Sequence, residues 1–132
     1  MSGLPETTML LLNRDGSRLD LTLNNPERRN ALSGEMVDEL HQVLDAIAPD
    51  RSIRTVVMRG AGGMFCAGGD IKGFKAGFQA DADPKAIAAS NRTFGDFLIK
   101  LNNLPQVVVM LVEGAAMGCG LGLVCVSDVA IA

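Results

Sequence analysis

Two glycine-rich segments are the parts of this 132-residue sequence best suited to chemistry. The first is Gly60–Lys72, GAGGMFCAGGDIK, and the second is Gly114–Gly122, GAAMGCGLG. Each follows an apolar run and precedes a helical pattern. Backbone N–H groups at such junctions face whatever lies above the strand ends, and they suit an anion or developing negative charge. Glycine also permits tight turns and close helix packing, and that reading stands for either segment taken alone. Two phosphate-binding patterns fit poorly. Gly118, Gly120 and Gly122 give GxGxG, but Leu123 stands where GxGxxG needs its third glycine. The sequence ends before the position, about twenty residues on, where that pattern carries its acid, and no GK[ST] is present.

Side chains offer less. His41 is the one histidine, and it falls on a helical stretch away from both segments. Asp70 and Glu113 are the carboxylates nearest the glycines in sequence. Cys66, Cys119 and Cys125 form no CxxC pair, so no structural zinc is expected. An odd thiol count without a leader pattern predicts reduced cysteines and a cytoplasmic setting. The formal net charge of −3 argues against a nucleic-acid footprint. The apolar stretches are strand-sized, which predicts no membrane span. With 48% hydrophobic and 20% charged residues, the chain reads as one globular domain.

The elements that must position these segments follow from periodicity. Leu10–Asn13 and Leu19–Asn24, divided by Asp15-Gly16, predict a β-hairpin. Asn25–Asn30 is loop chemistry. Ser33 caps a helix over 35–47, whose Met36, Leu40, Val43, Leu44 and Ile47 share a face. Ile53–Met58 predicts a buried strand. Asp83-Pro84 starts a long helix with Ile87, Phe94, Phe97, Leu98 and Leu101 on its apolar stripe. Gln106–Val112 predicts a strand, Leu121–Val126 a buried helix, and Asp128–Ala132 a further strand. Helix and strand alternate after the hairpin, so the fold class is α/β with parallel pairing. The sequence ends inside the apolar run Val129–Ala132, so the expectation is a piece of a longer protein.

Three segments taken together carry more than any one. Asn24–Leu32 (NNPERRNAL), Phe65–Lys72 (FCAGGDIK) and Gly114–Gly120 (GAAMGCG) resemble, in order and spacing, three successive motifs of the crotonase (enoyl-CoA hydratase/isomerase) superfamily. The resemblance implies the N-terminal portion of a crotonase-like spiral of ββα units. It implies an acyl-CoA thioester as partner, no separate cofactor or metal, and a trimer or hexamer. It assigns the oxyanion-binding N–H groups to Gly69 and Cys119, each such donor being worth about 3 kcal/mol in comparable sites. Ala31, Ala67, Gly68, Asp70, Ile71 and Gly118 are then expected along the substrate path. Arg28, Arg29 and Lys72 are candidates for the CoA phosphates, and each also reads as solvated surface charge. Helices starting near Asp70 and Cys119 are expected to point positive dipole ends at the oxyanion.

Two positions depart from the family pattern. Cys119 stands where glycine is usual, which is costly if that position needs positive φ. The expectation is a spacer beside the acyl group, not a nucleophile. Gly122 stands where typical hydratases carry a glutamate, and a second family glutamate would fall beyond Ala132. Glycine there, between Leu121 and Leu123, resembles the branched glutaconyl-CoA hydratases. The implied activity is hydration of an α,β-unsaturated acyl-CoA. Isomerase or other crotonase chemistry, and a catalytically incomplete acyl-CoA-binding piece, stand as alternatives.

Overall fold

The computed structural model describes residues 4–68 and 84–132. Strands β1 (Leu10–Asp15) and β2 (Arg18–Leu23) form the antiparallel hairpin, with Leu10 opposite Leu23 and Asp15 opposite Arg18. Helix α1 (Gly34–Ile47) leads to β3 (Thr55–Gly60), which pairs parallel to β2. Helix α2 (Pro84–Asn102) leads to β4 (Val107–Leu111), parallel to β3. Helix α3 (Cys119–Cys125) leads to β5 (Val129–Ile131), parallel to β4. The sheet order is β1-β2-β3-β4-β5, so each helix-strand unit adds one strand to the same growing edge.

Alternation drives the hairpin onto the core. Leu19, Leu21 and Leu23 are fully buried, while their neighbours along β2 are not. They join Met36, Leu40, Val43, Leu44 and Ile47 of α1 in one apolar cluster. Ser33 caps α1 as expected, its hydroxyl accepting from Met36 N at 3.2 Å. The Glu39 carboxylate clasps the preceding arm, accepting from Thr8 Oγ1 at 2.9 Å and Met9 N at 2.9 Å. In α2, Phe97 and Leu101 are buried, and Phe94 and Leu98 pack against the same cluster. His41 joins the two helices: its Nε2 lies 2.9 Å from Thr93 O, and its ring meets the Phe97 ring edge-on at 5.7 Å.

Four expectations are corrected in detail. β3 begins at Thr55, because Ile53 is spent on a turn in which its N–H donates to Asp50 O. β4 begins at Val107. Gln106 turns inward instead, and its Nε2 donates to Ile47 O at 2.6 Å and Asp50 O at 3.3 Å, tying off the end of α1. α3 starts at Cys119 and is only half covered: Gly120 and Leu123 are buried, whereas Leu121 is 53% exposed. β5 is shorter than expected, three residues long and exposed throughout. Asp83, the expected cap of α2, lies outside the described residues.

Candidate functional site

The loop after β2 and the turns after β3 and β4 meet at one end of the sheet. Phe65 N donates to Glu113 O at 2.8 Å, Cys66 N to Ala115 O at 3.2 Å, and Met117 N to Cys66 O at 3.0 Å. Cys66 and Ala116 form a parallel bridge. On the other flank, Ala67 N donates to Arg29 O at 3.0 Å and Leu32 N to Gly68 O at 2.7 Å. Residues 64–68 therefore act as the middle thread of an irregular three-stranded array.

Asn30 locks the first loop into this array. It is fully buried and left-handed at φ 57°. Its Oδ1 accepts from Asn25 N at 2.8 Å, and its Nδ2 donates to Ala61 O at 3.0 Å and Met64 O at 2.7 Å. Sequence reasoning placed Asn30 in a motif but gave it no role. The available signal was its type, since asparagine tolerates the left-handed region better than other non-glycine residues.

The glycines set how closely the turns approach. Gly68 has φ 105°, and a Cβ there would lie 2.9 Å from Met117 O and 3.7 Å from Cys119 N. A Cβ on Gly120 would lie 2.6 Å from Cys66 O. Side chains at either position would push α3 away from the Cys66 thread. Gly118, with φ 53°, reverses the chain immediately before α3. The left-handed residue is thus Gly118 and not Cys119; the non-glycine residues with positive φ, among those described, are Arg29 and Asn30. The backbone cost anticipated for cysteine at 119 does not arise.

Of the expected site residues, Ala31, Ala67, Gly68, Gly118 and Cys119 come together around this junction. Gly69, Asp70, Ile71 and Lys72 lie outside the described residues. Ala67 contributes no free donor, because its N–H is taken by Arg29 O. Gly120 N likewise donates to Met117 O at 2.8 Å. The N–H of Cys119 has no acceptor among the described residues, and it adjoins Gly68. Arg28 and Arg29 are exposed at the end of the short turn Pro26–Arg28. Arg29 holds the array through its carbonyl. α3 spans seven residues, so a dipole contribution from it is small.

Glu113 is exposed, and its carbonyl serves Phe65. Asp128 is used in the sheet, its Oδ2 accepting from Val108 N at 2.8 Å. Cys66 is fully buried, and burial pushes its thiol pKa up. Among the described residues no cluster of three His, Cys, Asp or Glu is placed to hold a metal, and no helix is long and apolar enough to cross a membrane.

The sequence profile described as enoyl-CoA hydratase/isomerase matches residues 14–132. The chain belongs to the enoyl-CoA hydratase/isomerase family. It is 36% identical over 124 residues to "Probable enoyl-CoA hydratase EchA14" of Mycobacterium tuberculosis, covering 93% of this chain and 46% of that protein. It is 34% identical over 119 residues to the 1,2-epoxyphenylacetyl-CoA isomerase of Escherichia coli, covering 86% of this chain and 43% of the relative. Among solved structures, Pseudomonas aeruginosa AtuE superposes with a TM-score of 0.89 at 50% identity, covering 93% of this chain and 47% of that one. The chain spans about half the length of the curated relatives it matches.

The Asn30 contacts give a first prediction. Asn30→Ala leaves Asn25 N, Ala61 O and Met64 O without their partner and is expected to cost about 2–4 kcal/mol in a denaturant melt. Asn30→Asp keeps the bond from Asn25 N but sets a carboxylate against two carbonyls. Its destabilisation is expected to ease as pH falls and the carboxyl protonates. The thiols give a second. With its pKa raised and its sulfur buried, Cys66 is expected to resist iodoacetamide at about pH 8 while exposed Cys125 is alkylated. Peptide mass spectrometry reads this, and equal labelling of both would contradict the burial.

Proposed function

We propose that this chain holds an acyl-CoA thioester with its carbonyl oxygen accepting from the N–H groups of Cys119 and Gly69, and that the reaction served is hydration of an α,β-unsaturated acyl-CoA. The observation that carries the reading is the Cys119 N–H, without an acceptor among the described residues, beside Gly68 at a junction where the N–H groups of Phe65, Cys66, Ala67, Met117 and Gly120 are engaged. Adding water to the β-carbon, or removing a proton beside the carbonyl, moves negative charge onto the thioester oxygen. Fixed backbone donors stabilise that charge without ordering a side chain.

Ala31, Ala67, Gly68, Gly118, Asp70 and Ile71 line the expected path of the pantetheine and adenine. Arg28, Arg29 and Lys72 are the candidates for the phosphates. Cys119 acts through its backbone, and its side chain is a spacer. The substrate is of the branched glutaconyl type, a reading supported by glycine at position 122. No carboxylate stands at that position, so the proton-transfer group belongs elsewhere in the active protein. The isomerase reading draws support from the relative named 1,2-epoxyphenylacetyl-CoA isomerase. Free thiols at Cys66, Cys119 and Cys125 suit the reducing cytoplasm. The exposed apolar side chains of Leu121, Val129 and Ile131 suit burial in an assembly, for which a trimer or hexamer is expected.

The donor is tested by removing the N–H. Cys119 is the first residue of α3, a position where proline is tolerated. Cys119→Pro is expected to weaken acyl-CoA binding and to lower any hydration rate by about 100-fold or more. Cys119→Ala, which keeps the N–H, is expected to retain both. Titration calorimetry with butanoyl-CoA and an enoyl-CoA absorbance assay read the two effects. Loss of binding in Cys119→Ala would make the thiol, not the backbone, the recognition group.

A further inference from the structure

The glycines of α3 and the turn before it do not share one explanation. Gly118 needs its positive φ, and Gly120 has no room for a Cβ against Cys66 O. Gly122 has neither reason. Its backbone is outside the left-handed region, and among the described residues a Cβ there would meet only Leu98 Cδ1, at an ordinary 3.8 Å. Glycine inside a helix nevertheless costs stability relative to alanine. The place where that cost falls is informative. Gly122 follows Cys119 by three residues, so the two lie on the same side of α3, about 4.5 Å apart along the axis. Leu98 of α2 walls the space that a side chain at 122 would fill.

We infer that Gly122 is a specificity-determining position: its missing side chain, with Leu98 as the facing wall, leaves room for a substituent on the β-carbon of the bound acyl group. The inference rests on the thioester reading above. A carbonyl oxygen held by Cys119 N sits about 3 Å from it. The β-carbon is two bonds beyond the carbonyl carbon, within reach of the next helical turn. A straight chain leaves the space over Gly122 unfilled, whereas a β-methyl or larger branch enters it and gains contact with Leu98.

The test compares Gly122→Ala with the parent chain. Gly95→Ala serves as reference, because Gly95 is a second helix-interior glycine with none of the described residues within 4 Å of a built Cβ. Melting temperature and calorimetric affinities for butanoyl-CoA and 3-methylbutanoyl-CoA are measured; neither thioester can be hydrated. Gly122→Ala is expected to melt no lower than the parent, as Gly95→Ala does. Its preference for the branched over the straight thioester is expected to fall by about tenfold, the size of effect one methyl group has in a pocket. An unchanged preference, with both thioesters still bound, overturns the role of Gly122 and leaves the thioester reading standing. A melting temperature lowered by several degrees in Gly122→Ala alone also overturns it, because the fold would then require the glycine. A parent chain that binds neither thioester overturns the thioester reading, and this inference with it.

Discussion

A single buried amide closes the end of the sheet where the candidate site lies. Asn30 satisfies three backbone groups at once, on the loop after β2 and on the turn after β3. Without it, Ala61 O and Met64 O would lose their side-chain donor, and the loop would lose its side-chain tie to the turn. Because Asn30 also adopts the left-handed region, it both turns the chain and bonds it. Arg29 O and Gly68 O then hold the two segments in register. The Cys66 thread passes this register to the turn after β4.

The functional consequence is a donor group held by backbone geometry. Two small residues let α3 start close to the Cys66 thread: Gly68, which faces Met117 O, and Gly120, which faces Cys66 O. Gly118 supplies the reversal that leaves Cys119 N at the helix start. Few rotatable side chains take part, so little conformational entropy is lost when a carbonyl oxygen arrives. Preorganisation of this kind suits a charge that exists only in the transition state.

Much of the frame was legible in the sequence because its signals are local. Ser33 before the 3.6-residue pattern fixed the start of α1, and alternating leucines fixed the inward face of β2. The parallel order followed from the helix-strand alternation. Where the reading slipped, longer-range contacts decided the outcome. Gln106 reads as strand by its apolar neighbours, yet its amide is drawn inward to the carbonyls of Ile47, at the end of α1, and of Asp50, in the turn after it. Leu121 reads as core by type, but Gly120 and Leu123 already fill the face that α3 turns to the sheet. At the site, the motifs marked Ala67 and Cys119 alike as backbone positions. Only the three-dimensional pairing separates them, because Arg29 O occupies the first N–H and none of the described groups occupies the second. Asn30 carried only the signal of its residue type, since two of its partners lie 31 and 34 residues away.

The most direct measurement is a crystal structure of the chain with bound butanoyl-CoA. The account predicts the thioester oxygen within about 3.1 Å of both Cys119 N and Gly69 N, with the cysteine sulfur making no covalent bond to the ligand. A thioester oxygen turned away from Cys119 N, or an acyl group carried on the Cys119 sulfur, would contradict it.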